Sequence, residues 1–356
     1  MALDTSNLVE LTMAICDIES VSGNEAALAD EVEKLLSQSK HLSVVRDGNA
    51  VVASTNLGLG SRVVIAGHID TVPIANNLPT QLHHFEREQV IVGRGTVDMK
   101  AGVAVMLKLA VELVHPNVDI TWVFYDNEEV ASDLNGLGRL VRNRPELIQG
   151  DFAVLCEPTS ALIEGGCNGT IRVEVSASGV KAHSARPWMG ENAIHKLAPS
   201  LEKLASYQPE TVNVDGLDYR ESLNAVLASA GIAANVIPDQ ATLTVNYRFA
   251  PSRTGEEAEA MLREFFAGYE VRVTDLAVGA RPGLNTPQAQ AFMASLGSEV
   301  KPKYGWTDVA RFSSLGIPAV NYGPGDPSLA HADNENVPVG HLFDCEAGLR
   351  RWLSAN

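Results

Sequence analysis

A chain of 356 residues, 45% of them hydrophobic and 20% charged, is long enough for about two domains and for a core that needs no disulfide staple. Its formal charge of −17 offers no cationic footprint for nucleic acid. The ordinary apolar fraction, with no long block of like charge, excludes a disordered chain.

From the start, Met1-Ala2-Leu3-Asp4-Thr5 carries an acid and no basic segment, so no cleavable leader is expected. Ser22-Gly23-Asn24-Glu25 reads as a capping box that opens a helix with apolar positions Leu28, Val32, Leu35 and Leu36. Short β-branched runs at 51–53, 62–66, 120–125 and 152–156 alternate with helical stretches at 99–114 and 137–147. That alternation predicts a parallel sheet with right-handed crossovers. The stretch 103–114 is broken by Lys108 and Glu112 and is too short to cross a bilayer.

From 169 to 281 the texture changes. Alternating runs at 171–176, 225–232, 241–249 and 271–276 enclose helices near 193–205 and 256–266. Strand-helix-strand-strand-helix-strand is the order of a small antiparallel α+β domain of the ferredoxin-like kind. After Arg281-Pro282-Gly283 a strand at 317–322 and a closing helix at 340–353 return to α/β character. The expected fold class is therefore α/β: a mostly parallel sheet with helices on both faces, interrupted by an inserted α+β lid. Residues 1–169 and 284–356 form the main domain and 170–283 the insert. Four scattered cysteines, Cys16, Cys156, Cys167 and Cys345, have no C-x-x-C spacing and read as reduced thiols of a cytoplasmic protein.

The acids and histidines fall at telling places on this map. His68 and Asp70 follow the run at 62–66, and Asp98 precedes the helix at 99–114. Glu128 and Glu129 follow the run at 120–125, Glu157 follows 152–156, and His331 follows 317–322. In an open parallel sheet the carboxyl ends of the strands share one edge, where ligands bind. Five of these seven, two histidines and three carboxylates, make a set that suits zinc, cobalt or manganese. Taken singly, each has an ordinary reading: a loop histidine, a helix cap, a solvated glutamate pair, a Glu-Pro turn. No G-x-S-x-G elbow and no H-E-x-x-H motif is present.

Four segments resemble the di-zinc aminoacylase and carboxypeptidase family. They are Gly67-His68-Ile69-Asp70-Thr71-Val72-Pro73, Gly93-Arg94-Gly95-Thr96-Val97-Asp98-Met99-Lys100-Ala101-Gly102, Asn127-Glu128-Glu129 and Cys156-Glu157-Pro158-Thr159. The resemblance implies two divalent metal ions, zinc first, with cobalt or manganese as alternatives. It implies that His68 and Glu157 bind one ion, that Glu129 and His331 bind the other, and that Asp98 bridges them. Glu128 would be the general base toward a water between the ions, and Asp70 would orient His68. His331 stands in Ala330-His331-Ala332-Asp333-Asn334-Glu335, a variant of the family's His-x-x-Asn-Glu wording that keeps the Asn-Glu spacing. In the insert, Gly179 to Pro187 resembles the segment around a histidine that reaches the active site, so His183 would stabilise the oxyanion, in many relatives across a homodimer interface.

The pocket is less legible. Arg248 ends an insert strand and is the expected clamp for an acyl carboxylate. Asn235, in Ala234-Asn235-Val236-Ile237-Pro238, and Thr307, in Gly305-Trp306-Thr307-Asp308, resemble substrate-contacting loops of the family. The combination is similar to the actinobacterial type of succinyl-diaminopimelate desuccinylase within it. The resemblance thus implies a metallohydrolase acting on a linear amide of a small N-acyl amino acid, releasing succinate and LL-2,6-diaminopimelate for lysine and cell-wall synthesis. An N-acetylornithine or other N-acyl-amino-acid deacylase is the alternative within the family, and a non-catalytic binding protein the alternative outside it. No membrane or nucleic-acid partner is expected.

Overall fold

The structure is a computed structural model and describes residues 3–85 and 88–354; Met1 and Ala2, read above for a leader, lie outside them. The chain divides into two compact units, one of residues 1–165, 283–301 and 311–356, the other of residues 166–282 and 302–310.

The first unit is built on an eight-stranded sheet. In spatial order its strands are Ser43–Asp47, Ala50–Ser54, Asp119–Tyr125, Arg62–His68, Phe152–Leu155, Ala319–Asn321, Ile163–Gly165 and Val300–Pro302. The Arg62–His68 strand pairs in parallel with Asp119–Tyr125 on one side and Phe152–Leu155 on the other, and Ala319–Asn321 continues the parallel centre. The flanking pairs Ser43–Asp47 with Ala50–Ser54, and Ala50–Ser54 with Asp119–Tyr125, are antiparallel. The sheet centre reads as continuous apolar runs because it is covered on both faces: Val63, Ile65, Ile120, Trp122, Phe124 and Val154 are all buried. The Arg62–His68 strand has its two neighbours reached in opposite directions, which makes its carboxyl end a topological switch point. Register fixes what gathers there, pairing His68 with Tyr125 and Ala66 with Leu155. The segments carrying His68, Glu128 and Glu157 therefore leave the sheet at one edge.

The helix Lys100–Glu112 packs against this sheet, with most of its residues buried. Its first residue, Lys100, is only 1% exposed and donates from Nζ to the carbonyls of Ile18 and Cys16, at 2.8 and 3.4 Å. Those carbonyls end the helix Leu8–Asp17, so a buried ammonium caps one helix from the start of another. Gly102 is required by close approach, since a Cβ there would strike the Cys156 carbonyl. Gly323 abuts the carbonyls of Cys156 and Glu157 in the same way.

The sequence misleads at one helix start. The helix predicted from Ser22 begins at Ala26, and Glu25 at its cap makes no side-chain capping bond. Glu25 is buried and accepts instead from the Gly23 amide and from Asn49 Nδ2, while Ser22 donates to Asp70. A hydroxyl three residues before a glutamate is a capping box only if the glutamate carboxylate is left to reach back to the cap amide.

The second unit carries a four-stranded antiparallel sheet, ordered Ser222–Ala230, Gln240–Phe249, Gly169–Ser178, Glu270–Ala277. Alternation along Gln240–Phe249 buries Ala241, Leu243, Val245, Tyr247 and Phe249 in one core with residues of the helices Ala193–Ser206 and Gly255–Phe265. With helices after the first and third of these strands in chain order, this is the ferredoxin-like arrangement. All four cysteines are buried and free. No helix among the described residues is long and apolar enough to cross a membrane.

Candidate functional site

His68, Asp98, Glu129 and His331 meet at the carboxyl edge of the first unit's sheet. One ligand atom from each of His68, Asp98 and Glu129 lies within 4.8 Å of the others. His68 Nε2 is 3.0 Å from Asp98 Oδ1, while His331 Nε2 is 3.4 Å from Asp98 Oδ2 and 2.9 Å from Glu129 Oε1. Asp98 thus spans the two imidazoles with its two oxygens. Glu157 follows the Phe152–Leu155 strand, one strand from His68, and is also buried. Glu128 directly precedes Glu129, after Asn127 turns the chain with φ of 58°. Asparagine is among the few residues that adopt this left-handed conformation readily.

Asp70 organises the approach to the cluster. Its carboxylate accepts the Glu128 amide on Oδ1 at 2.9 Å, and the Glu129 amide on Oδ2 at 3.1 Å. Ser22 Oγ donates to Oδ2 at 2.7 Å. His68 Nδ1 lies 3.0 Å from the Asp70 carbonyl and 3.3 Å from its Oδ1. Two acceptors on Nδ1 hold a proton on that nitrogen, so Nε2, beside Asp98, is the atom that would meet a cation. Sequence reasoning assigned Asp70 to His68 alone; its grip on the two glutamate amides is a second task that spacing does not reveal.

The electrostatics are those of a cation site. Burial works to push the His68 pKa down, but Asp70 and Asp98 overrule it and raise it well above the usual histidine value. Hydrogen bonds to Asp98 and Glu129 raise His331 to about 10. Burial of Asp98 is likewise outweighed by His331 and His68, and its carboxyl is lowered far below the usual range. Converging carboxylates that draw protons onto two imidazoles form a concentrated negative field, and divalent cations satisfy the same field without protons. Imidazole nitrogens and carboxylate oxygens are donors suited to zinc and its neighbours. These residues fit a metal centre.

The other expected site residues lie in the second unit. His183 ends a two-residue strand, Ala182–His183, paired with Val236–Ile237 so that His183 faces Val236 in register. The Ser184 amide donates to the Asn235 carbonyl at 2.9 Å. Two residues 52 positions apart in the sequence, His183 and Asn235, are thereby held together on one ribbon. The Ala185 amide donates to His183 Nδ1 at 3.0 Å, so the neutral ring carries its proton on Nε2. Arg248 is half-buried, with Nε donating to Asn246 Oδ1 at 3.1 Å. Burial and the neighbouring Arg172 lower its pKa from the usual arginine value. Thr307 is buried, and its carbonyl accepts from the Cys167 thiol.

Sequence reasoning passed over a buried pair beside the cluster, Arg94 with Glu335, whose Nη1 and Oε2 are 2.9 Å apart. Both stand inside quoted motifs; what marks them is burial of full charges, which spacing alone does not disclose. It also passed over Arg139, which holds Asp126, at the end of the Glu128 strand, through both terminal nitrogens at 3.1 and 2.8 Å.

Comparison with known proteins places the chain in a family. Residues 64–355 match the model of peptidase family M20/M25/M40. A Mycobacterium tuberculosis protein, named provisionally as a succinyl-diaminopimelate desuccinylase, is 51% identical over 348 residues, covering 97% of each chain. The succinyl-diaminopimelate desuccinylase of Corynebacterium glutamicum is 46% identical over 360 residues, covering 97% of this chain and 96% of that one. Among solved structures, a tripeptidase of Staphylococcus aureus superposes with a TM-score of 0.79 at 21% identity, covering 99% and 98% of the two chains. A dinuclear metal-binding peptidase of Bacillus subtilis superposes at 0.70 with 16% identity, covering 98% and 97%. The chain is a hydrolase and belongs to peptidase family M20/M25/M40.

Proposed function

We propose that this protein hydrolyses the amide of N-succinyl-LL-2,6-diaminopimelate, giving succinate and LL-2,6-diaminopimelate, the latter for lysine and cell-wall synthesis. The observation that carries the reading is the His68, Asp98, Glu129, His331 cluster in a chain so similar, end to end, to proteins named for that activity. Glu157 would complete the ligand set: His68 and Glu157 would hold one ion, Glu129 and His331 the other, and Asp98 would be shared by both. Zinc is the first choice, with cobalt or manganese as alternatives. When bound, two such ions supply Lewis acidity and lower the pKa of a shared water toward neutrality.

The chain's own residues do the rest. Glu128, its backbone fixed by Asp70, takes a proton from the attacking water and delivers it to the departing amine as the C–N bond breaks. His183, with its proton on Nε2, donates to the oxygen that gains charge in the tetrahedral intermediate. Arg248 binds the succinyl carboxylate in a bidentate contact, and Asn235 and Thr307 hydrogen-bond the substrate.

A homodimer through the second unit is supported by the edge strand Ser222–Ala230. It is exposed from Asn224 onward and carries no charged residue. Leu227 is 68% exposed and Ile232, just beyond, 73%. Ile194 and Leu201 are exposed on the neighbouring helix. An uncharged apolar edge is a template for pairing with a second copy. Four buried free thiols suit the reducing cytoplasm.

The test is amine release by zinc-loaded protein from N-succinyl-LL-diaminopimelate and N-acetylornithine in parallel. Turnover of the succinyl compound alone is expected. Turnover of the acetyl compound alone would keep the hydrolase and discard the acyl specificity assigned to Arg248.

A further inference from the structure

Glu335 is 1% exposed and Arg94 is 3% exposed. Glu335 Oε1 accepts the amides of Val97 and Asp98, at 2.8 and 3.0 Å, and Oε2 accepts Arg94 Nη1 at 2.9 Å. Arg94 reaches further, from Nε to the Pro73 carbonyl at 3.1 Å and from Nη1 to the Ala332 carbonyl at 3.3 Å. The Gly93 amide returns a bond to the Glu335 carbonyl at 2.9 Å. One buried ion pair therefore ties together three loops: the one after His68, the one bearing Asp98 and the one bearing His331. The first follows a candidate ligand and the other two each carry one.

We infer that Arg94 and Glu335 are positioning residues that set the spacing of the metal ligands, an inference that rests on the metal-centre reading above. The Glu335 oxygens are taken up by donors from the Asp98 loop, so this carboxylate acts on the cluster through backbone. The amide it grips belongs to Asp98 itself, whose two oxygens span His68 and His331. A small shift of that amide alters both distances at once. His331 has φ of 65°, a strained conformation for a non-glycine residue that persists only where its surroundings fix it. The Arg94 bond to Ala332, the next residue, is such a fixture. A buried ion pair is a weak source of net stability compared with apolar packing of the same volume, so holding these loops in register is the task that accounts for its contacts. Partners behind the ligands of metal sites typically govern affinity or activity by about 10–100-fold.

The test compares Glu335→Gln and Arg94→Lys with Glu221→Gln. Glu221 is an equally buried carboxylate of the second unit, bonded to Tyr247, Ala250 and Arg253. Zinc affinity is read by calorimetry on metal-free protein, geometry by the visible absorption of the cobalt-loaded form, and stability by melting of the metal-free form. Glu335→Gln and Arg94→Lys should weaken zinc binding by about 10–100-fold and shift the cobalt spectrum. Glu221→Gln should lower the melting temperature and leave affinity and spectrum as in wild type. Wild-type affinity and spectrum in Glu335→Gln, beside a lowered melting temperature, would overturn the inference. Should that variant not fold, Arg94→Lys carries the same decision. Wild-type protein that takes up neither metal would overturn the metal reading and this inference with it.

Discussion

Asp70 shows how one buried carboxylate serves several functional groups. It meets the amides of Glu128 and Glu129, the hydroxyl of Ser22 and the ring of His68. Asp70→Asn replaces an acceptor with an amide NH2 that faces a backbone N–H, which leaves donors unpaired in a dry site. Activity or metal affinity should fall by about 10–100-fold, the effect usual for partners behind metal ligands; an unchanged kcat/KM with full metal content would contradict that assignment. His183 allows a cleaner separation of roles. Removing one oxyanion donor typically costs about 10²–10³ in kcat, so His183→Ala should lose that much while binding metal as wild type does. A variant with unchanged kcat would remove His183 from the chemistry. At this scale the sequence is informative where a residue type and its motif suffice, as for His68, Asp98 and Glu129. It is silent where the role lies in a long-range hydrogen bond: Glu335 meets Val97 and Asp98 from more than two hundred positions away.

The elements matter chiefly for where they end. The parallel centre brings His68, Glu128 and Glu157 to one edge because its strands are in register, and this was readable from the alternation of apolar runs and helices. The capping box expected at Ser22 does not form because the helix starts at Ala26 and the Glu25 carboxylate is taken up by the Gly23 amide and Asn49. The first helix, Leu8–Asp17, was not anticipated, although Asn7 caps it in the usual way, accepting the amides of Val9 and Glu10. Packing sets tight limits at Gly102, where the helix rests on the Cys156 carbonyl. Gly102→Ala should destabilise the protein by about 1–3 kcal/mol through overpacking. The displacement falls on the residue before Glu157, so metal retention should weaken with it; equal melting temperature and metal content would show that the contact relaxes freely. On the exposed edge strand, Leu227→Lys introduces a charge where a second copy would pair. Sedimentation should then report a monomer, and a dimer of wild-type strength would rule out this edge as the interface.

At the scale of the whole molecule, the candidate metal centre joins segments from across the first unit, from His68 to His331. Ions that bind only the folded chain stabilise it by mass action, about 4 kcal/mol when free metal exceeds its Kd a thousandfold. Chelation should therefore lower the melting temperature and metal should restore it; indifference to chelator would argue that the carboxylate cluster holds no ion. Identity of the acyl group belongs to this scale too, because the residues assigned to it sit on the inserted unit, where Arg248 was legible only as a cation at a strand end. The central claim, hydrolysis at this cluster with Glu128 as the base, is tested most directly by turnover and metal content measured on the same samples of wild type and Glu128→Gln. The expected result is amine release by wild type and none above background by the variant, with metal content equal in both. A variant that turns over at the wild-type rate would contradict the account.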